Sequence, residues 1–216
     1  MPIKNDREYR AFNIEKRAKN EGGDEPSFLV AGYASTFEEY TLGENAGEIY
    51  RERIEPTAFD EADMSDVVFL LDHTGRVYAR TKNDTVKLTV DDKGLYTETD
   101  LSKTAAARGV YEDIDAGNYS QMSFAFTVAD DNFIVSTENE KTVYTRVINR
   151  IKKVFDISAV GFPANPTTDI GVATRAAFDG AIESYKAERL KEERAKNEAA
   201  RLRAIAKIKI LEVEHD

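Results

Sequence analysis

Near its centre the chain reads Tyr119-Ser120-Gln121-Met122-Ser123-Phe124-Ala125-Phe126-Thr127-Val128. Successive side chains of a β-strand point to opposite faces, so this stretch divides into two sets. The large apolar set, which we expect to face a core, consists of Met122, Phe124, Phe126 and Val128. The opposite set is small or polar and consists of Gln121, Ser123, Ala125 and Thr127. A hydroxyl on such a thin face leaves room for a substrate, and we interpret Ser123 as a candidate nucleophile.

The composition excludes several kinds of chemistry. The 216 residues contain no cysteine, which excludes a thiol nucleophile, a disulfide scaffold and thiolate metal sites. Apart from the penultimate residue, His215, the sole histidine is His73, so a catalytic zinc site is not expected. The chain has no glycine-rich phosphate loop. We therefore expect neither a metal nor a cofactor.

The charge of the chain is unevenly distributed. The formal net charge is -10, yet residues 183–216 carry nine Lys/Arg and eight Asp/Glu, so the acidic excess lies in the preceding residues. An acidic surface suits a basic or neutral polypeptide partner better than nucleic acid. No apolar run reaches the roughly 20 residues of a membrane span, and the first residues lack the apolar segment of a secretory signal. These features are compatible with a cytoplasmic protein that binds neither nucleic acid nor membranes.

The pattern of elements predicts a β-rich α+β fold. Nine or ten strand-like segments alternate with turn signals, and two segments favour helices. The composition changes near Ala176, after which residues 178–206 are rich in Ala, Glu, Lys and Arg and contain no proline. That composition is typical of a long helix. We therefore expect a body at residues 1–175 and a charged helical tail at residues 176–216.

Local signals place turns and caps between these elements. Residues 91–94 predict a hairpin turn, the polar run at 38–48 predicts a loop, and the polar runs at 130–132 and 138–140 predict turns. Ser102 is the expected N-cap of the first helix, which Gly117 would end.

A serine nucleophile requires a base, because its hydroxyl is too weakly acidic to attack unaided. Residues 67–71 form a continuous apolar run that predicts a buried strand, and His73 stands where the chain leaves it. Catalytic groups often occupy such strand ends. Taken alone, a lone histidine or serine is more often structural, but together they predict that His73 is the base of Ser123.

A third group should orient the imidazole and stabilise its charged form. Asp72 adjoins His73, but neighbours in an extended strand point to opposite faces, which disfavours it. Asp156 lies in an otherwise apolar strand, where a carboxylate is costly unless it is paired. An edge strand facing water is the structural alternative for Asp156. Ser158, on the same face as Asp156, is the alternative nucleophile.

Seven segments carry a resemblance to a known family, and they follow one another in the family's order. They occupy residues 32–37, 55–59, 70–74, 79–88, 100–108, 121–126 and 156–166. The chain thereby resembles the prohead (procapsid maturation) serine proteases of tailed phages, the HK97-like family, which is related in fold to the herpesvirus assemblins. The ordered set spans roughly residues 28–170 and is more specific than any one segment.

The resemblance implies roles for the candidate residues. The family's base falls on His73, its nucleophile on Ser123 and its acidic residue on Asp156, where many relatives carry Glu. Thr57 stands where a glycine is frequent, and Ala125 where the serine motif often has glycine; neither change removes a reacting group.

The implied mechanism is acyl transfer, with an oxyanion hole of backbone N–H groups and an arginine, as in the assemblins. Arg80, Arg146 and Arg150 are the candidates for that arginine.

The resemblance also implies a fold and a biological role. The implied fold is a small closed or nearly closed β-barrel with peripheral helices, followed here by the long C-terminal helical tail. The implied enzyme is a serine endopeptidase that cleaves extensions of the phage scaffold or major capsid protein, and itself. It would act in the host cytoplasm, inside the assembling procapsid. The relationship to the assemblins suggests a homodimer.

Two alternatives to a protease stay open at this point. One is a catalytically inactive capsid-assembly factor with the same fold, and the other is a β-rich binding module, for which no aromatic platform is evident. The tail has three interpretations: a solvated helix, a scaffold-contacting helix, or a segment removed on maturation. Its apolar stripe would consist of Leu202, Ile205 and Ile208.

Overall fold

The computed structural model describes residues 7–13, 28–161 and 172–213, without the side chains of 11–13, 172–179, 181 and 204–213. Within these residues lie ten strands: β1 (Glu8–Asn13), β2 (Leu29–Thr36), β3 (Tyr40–Glu44), β4 (Glu48–Ile54), β5 (Val68–Leu71), β6 (Thr74–Arg80), β7 (Val86–Val90), β8 (Gly94–Asp100), β9 (Gln121–Glu138) and β10 (Lys141–Val160). They also contain two α-helices, α1 (Ala105–Asp115) and α2 (Val172–Val213), and two short 3-10 helices, Pro56–Phe59 and Thr81–Asn83. The predicted β-rich fold with a C-terminal helix is confirmed.

The described strands form two sheets. The larger has the order β1-β9-β10-β4-β3, and β5 also pairs with β10 and carries β6 on its outer side. β10 is the longest strand and pairs in parallel first with β4 and then, nearer its end, with β5. The smaller sheet has the order β2-β8-β7. No single closed ring of strands joins the described residues, so the closed or nearly closed barrel stays a prediction.

β9 and β10 form one long antiparallel hairpin, and the turn predicted at residues 130–132 is wrong. The polar residues there remain in β9 because partners on β10 hold them. The Asn149 amide donates to Asp130 and Asn132, and Arg146 pairs with Asp131. The chain reverses at Asn139 and Glu140, both of which have positive φ, so the turn predicted at residues 138–140 is confirmed.

The core lies under the face of β9 that carries the large apolar side chains. Met122, Phe124 and Phe126 are fully buried, as predicted, and the two phenylalanine rings stack with centroids 4.4 Å apart. Val128 is half-buried. On the small opposite face, Ser123 is only 3% exposed and Ala125 is fully buried, whereas Gln121 and Thr127 are half-buried.

Three other local predictions have mixed outcomes. The 91–94 hairpin turn joins β7 to β8, where the Asp91 carboxylate accepts from two backbone N–H groups. Ser102 is not the cap of α1, because Thr104 accepts the Ala107 N–H at 3.1 Å; Gly117 ends the helix with a φ of +87°, as predicted. The 38–48 loop contains β3, and the Asn45 side chain confines the turn to the residues before β4.

A buried network of charges lies on the larger sheet. Glu52 on β4 accepts two hydrogen bonds from Arg10 on β1, and Arg146 on β10 pairs with both Glu8 and Glu52. β1 and β4 are separated by two strands, roughly 14 Å in a flat sheet. Their direct contact therefore indicates that the sheet curves around the network.

The chain divides into two compact units, Met1–Arg175 and Ala176–Asp216. In the second unit the helical side chains from 186 to 203 are all exposed, Leu202 among them at 58%. The side chains of Ile205 and Ile208 lie outside the described part, so the apolar stripe is untested. Among the described helices, none is long and apolar enough to cross a membrane.

Candidate active site

His73 lies in a two-residue turn between β5 and β6. Leu71 pairs with Thr74, so Asp72 and His73 form the loop, and both have positive φ, 46° and 57°. Such a pair of left-handed residues is the tight hairpin turn that follows the twist of the strands. The premise that Asp72 and His73 are extended neighbours is therefore wrong. The Asp72 carboxylate instead accepts the backbone N–H of Gly161 at 3.2 Å.

Ser123 lies on β9 directly opposite Ser158 on β10. Its Oγ is 2.6 Å from Nε2 of His73. The hairpin carrying His73 reaches back over β10, because β5 pairs with β10 at residues 156–159. Strand pairing thus brings the predicted base to the predicted nucleophile, although the two are 50 residues apart in the chain.

Asp156 lies on β10 between Ala125 of β9 and Val68 of β5, and it is 3% exposed. Its Oδ1 is 2.6 Å from Nδ1 of His73. A carboxylate can only accept, so Nδ1 carries the proton and donates to Asp156. Nε2 is then free to accept the hydroxyl proton of Ser123. The structure therefore brings together all three predicted residues.

Ser158 is a further side chain beside the site. The sequence indicated its position but not its contacts. Its hydroxyl donates to Asp156 Oδ1 at 2.9 Å, and its Oγ lies 3.3 Å from His73 Nδ1. A buried carboxylate requires such donors, because burial without hydrogen bonds is costly. The signal was the i, i+2 spacing, which puts Ser158 on the face of Asp156.

Tyr9 on β1 is a second neighbour, and no sequence signal indicated it. Its ring packs edge-on against the imidazole of His73, with centroids 4.5 Å apart. β1 is the edge strand beside β9, and its Ala11 lies opposite Ser123 in the register. The N-terminal strand therefore forms one wall of the site.

The arginines predicted for the oxyanion hole are engaged elsewhere. Arg146 is buried in the charge network, ten residues along β10 from Asp156, which is roughly 33 Å in a strand. Arg80 forms a bidentate pair with Asp66, and Arg150 lies 3.6 Å from Glu61 at the surface. Within the described part of the chain, the ion-pair partners of these arginines are Asp66, Glu8, Glu52, Asp131 and Glu61. The expectation that one of them serves the nucleophile is not supported.

A hydroxyl, an imidazole and a buried carboxylate, joined by hydrogen bonds in that order, form the geometry by which serine hydrolases are recognised. The comparison with known families agrees with that class. A family model described as caudovirus prohead serine protease matches residues 12–181, which is well over half of the chain and includes all three side chains. The chain belongs to this family. No curated protein and no solved structure matches it.

Proposed function

We propose that this chain is a serine endopeptidase in which Ser123 is the nucleophile, His73 the general base and acid, and Asp156 the group that orients His73. The observation that carries the proposal is the continuous hydrogen-bonded chain from Ser123 through His73 to Asp156, with both contacts at 2.6 Å. Membership of a serine protease family supports it. The domain that performs the reaction is residues 1–175.

The reaction proceeds in two transfers. Ser123 Oγ bonds to the carbonyl carbon of the scissile peptide while its proton passes to His73 Nε2. The tetrahedral intermediate then breaks its C–N bond, and the leaving amine takes the proton from Nε2. Water next gives a proton to Nε2 and attacks the acyl ester, which returns that proton to Ser123 and releases the acid. Throughout, Asp156 accepts the Nδ1–H and stabilises the imidazolium.

The substrates in this proposal are extensions of the phage major capsid protein or scaffold protein inside the assembling procapsid. Membership of the prohead protease family supports a role of this chain in procapsid maturation. The acidic body, which bears the net charge of the chain, favours a basic or neutral polypeptide over nucleic acid.

The first experiment coexpresses the chain with the capsid and scaffold proteins of its phage. Wild type should shorten one of them, and Ser123→Ala should abolish the shortened product. Ser136→Ala is the matched control, since Ser136 lies on the same strand, β9, but is exposed. Processing that survives Ser123→Ala would refute the nucleophile. Loss of processing in the control would show that the assay reports folding.

Self-cleavage is a separate part of the proposal. Residues 186–203 of α2 are all exposed, and the tail at residues 176–216 is the segment we expect to be removed. Mass spectrometry of the chain recovered from mature particles should show a shortened C-terminus in wild type and an intact one with Ser123→Ala. An intact wild-type C-terminus contradicts tail removal without affecting the catalytic proposal.

A second candidate, an inactive capsid-assembly factor, has one observation in its favour. Ser123 is only 3% exposed, so little of its surface is open to a peptide. A fluorophosphonate probe, which is much smaller than a peptide, separates the two candidates. If the chain is a protease, the probe should label Ser123 covalently. If it is an inactive assembly factor, it should stay unlabelled although capsid assembly still depends on it.

A further inference from the structure

Ser158 is the buried group nearest to the reacting side chains that the proposed mechanism leaves without a role. It is 0% exposed, lies opposite Ser123 in the strand register, and shares its face of β10 with Asp156. The Ser123 hydroxyl, the His73 imidazole and the Asp156 carboxylate already lie together here. A fourth polar group in so dry a place is costly unless its hydrogen bonds are satisfied.

The hydrogen bonds of Ser158 converge on the contact between His73 and Asp156. Its hydroxyl donates to Asp156 Oδ1 at 2.9 Å, the same oxygen that His73 Nδ1 approaches at 2.6 Å. Its Oγ also lies 3.3 Å from Nδ1, with a lone pair available to the Nδ1–H because its own proton is directed to the carboxylate. Ser158 therefore bridges the acid and the base at Nδ1 of the ring, whereas Ser123 contacts Nε2.

This arrangement argues against Ser158 as a nucleophile. Its proton is directed to Asp156, whereas the ring nitrogen that can accept a proton, Nε2, faces Ser123. The nitrogen nearest to Ser158 is Nδ1, which donates to the carboxylate. A hydroxyl in that position can fix the geometry of the pair but has no base to activate it.

We propose that Ser158 is a positioning residue: its hydroxyl fixes Asp156 Oδ1 and favours the form of His73 protonated at Nδ1, which leaves Nε2 free for Ser123. The inference rests on the proposed function, because it assigns a role within the same site. A free carboxylate on β10 can rotate about its side-chain torsions, and the second donor restricts it to the orientation that holds the ring.

The test uses the full-length chain and an alkyl fluorophosphonate, which transfers phosphorus to a serine Oγ and releases fluoride. Ser158→Thr and Ser158→Val have nearly the same volume and differ in the hydroxyl, so they form a matched pair. If Thr and Val are too large for the buried position, Ser158→Ala is used in place of both, because it removes only the hydroxyl oxygen. Thermal unfolding identifies any variant that does not fold.

The expected result is a loss of maximal labelling rate with Val and Ala of roughly tenfold to a hundredfold, because one hydrogen bond to a charged group is lost. Thr should restore most of the rate. The probe concentration for half-maximal rate should stay unchanged, since the contacts of Ser158 are with Asp156 and His73 Nδ1. The far-downfield proton NMR signal of His73 Nδ1–H should move with Val and Ala and stay in place with Thr, which a merely structural role would not produce.

The outcomes separate this inference from the proposed function. If Ser123→Ala abolishes labelling while Ser158→Ala and Ser158→Val label like wild type, the positioning role is wrong and the catalytic proposal stands. Equal losses with Thr and Val, both folded, also overturn it, because the hydroxyl would then be irrelevant. If Ser123→Ala still labels, the catalytic proposal itself fails. Labelling that depends on Ser158 and not on Ser123 would make Ser158 the nucleophile and overturn both.

Discussion

Replacing Glu52 by Gln tests whether the buried charge network holds the larger sheet together. The Glu52 side chain is 0% exposed and accepts from Arg10 Nε at 2.5 Å, from Arg10 Nη2 at 2.6 Å, and from Arg146 Nη1 at 3.3 Å. It also accepts the Tyr40 hydroxyl at 2.5 Å. Burial raises the pKa of Tyr40 well above its ordinary value, and the Glu52 charge raises it further, so Tyr40 stays a donor.

The expected loss of stability depends on the contacts that remain after the substitution. Glutamine keeps the shape but loses the charge, and its amide N–H groups face donors of Arg10 and Tyr40. Breaking a buried ion pair by removing one partner costs about 3–5 kcal/mol, and here Arg10 loses both contacts to Glu52 and keeps Glu8 as its carboxylate partner. For a chain of this length, each kcal/mol lowers Tm by about 2–4 °C, so we expect a decrease of roughly 6–20 °C.

The assay is urea and thermal unfolding followed by far-UV circular dichroism. The matched control is Glu138→Gln, which removes a bidentate pair with Arg51, also between strands, at 2.8 and 2.7 Å. The Glu138 side chain is 43% exposed, and exposed ion pairs contribute little to stability because solvent screens them. If Glu52→Gln destabilises the chain no more than Glu138→Gln does, the reasoning about burial is refuted.

Four further outcomes are expected. Asp156→Asn should lower the proteolytic rate by roughly 10³–10⁴-fold with unchanged Tm, because the amide favours the wrong ring tautomer; full activity in the same cleavage assay would move the acid elsewhere. Gly94→Ala should destabilise by about 1–3 kcal/mol or more in urea titrations, since its Cβ would lie 2.0 Å from the Ser35 carbonyl oxygen; a neutral result would mean that β2 moves freely. Thr99→Val should leave stability equal or raise it by about 1 kcal/mol, because the buried Thr99 hydroxyl has no hydrogen-bond partner among the described residues; a loss above that size would reveal a partner. Burial raises the pKa of the Glu8 carboxyl, but the charges of Arg10 and Arg146 outweigh it and hold the pKa below the ordinary 4.5. Glu8 should therefore add stability above about pH 4.5 that is lost as the pH falls below it, and Glu8→Gln should flatten this part of the stability curve.

The catalytic candidates could be found from the sequence because each depends on a short-range signal. The alternation around Ser123, the single histidine near a strand end and the carboxylate in the apolar stretch around Asp156 are all visible within a few residues. The family resemblance then placed His73, Ser123 and Asp156 in the order of the family's base, nucleophile and acidic residue. The β-rich class followed from the same periodicities.

What could not be predicted depends on long-range pairing. The polar residues at 130–132 read as a turn because their partners, Asn149 and Arg146, are distant in the chain and visible only once β9 and β10 pair. Arg146 is among the three candidates for the oxyanion-hole arginine for the same reason, since nothing local indicates its buried contact with Glu8. Tyr9 reaches His73 only through the pairing of β1 with β9.

The parallel pairing of β5 with β10 has a consequence for when the enzyme becomes active. His73 is 50 residues from Ser123 and 83 from Asp156, and β10 ends only at Val160. Contacts of such separation form late, because loop closure must precede them. In the proposed mechanism, a chain still emerging from the ribosome has no base beside its nucleophile until β10 is made and paired. We therefore expect cleavage to begin only after β10 has joined the sheet.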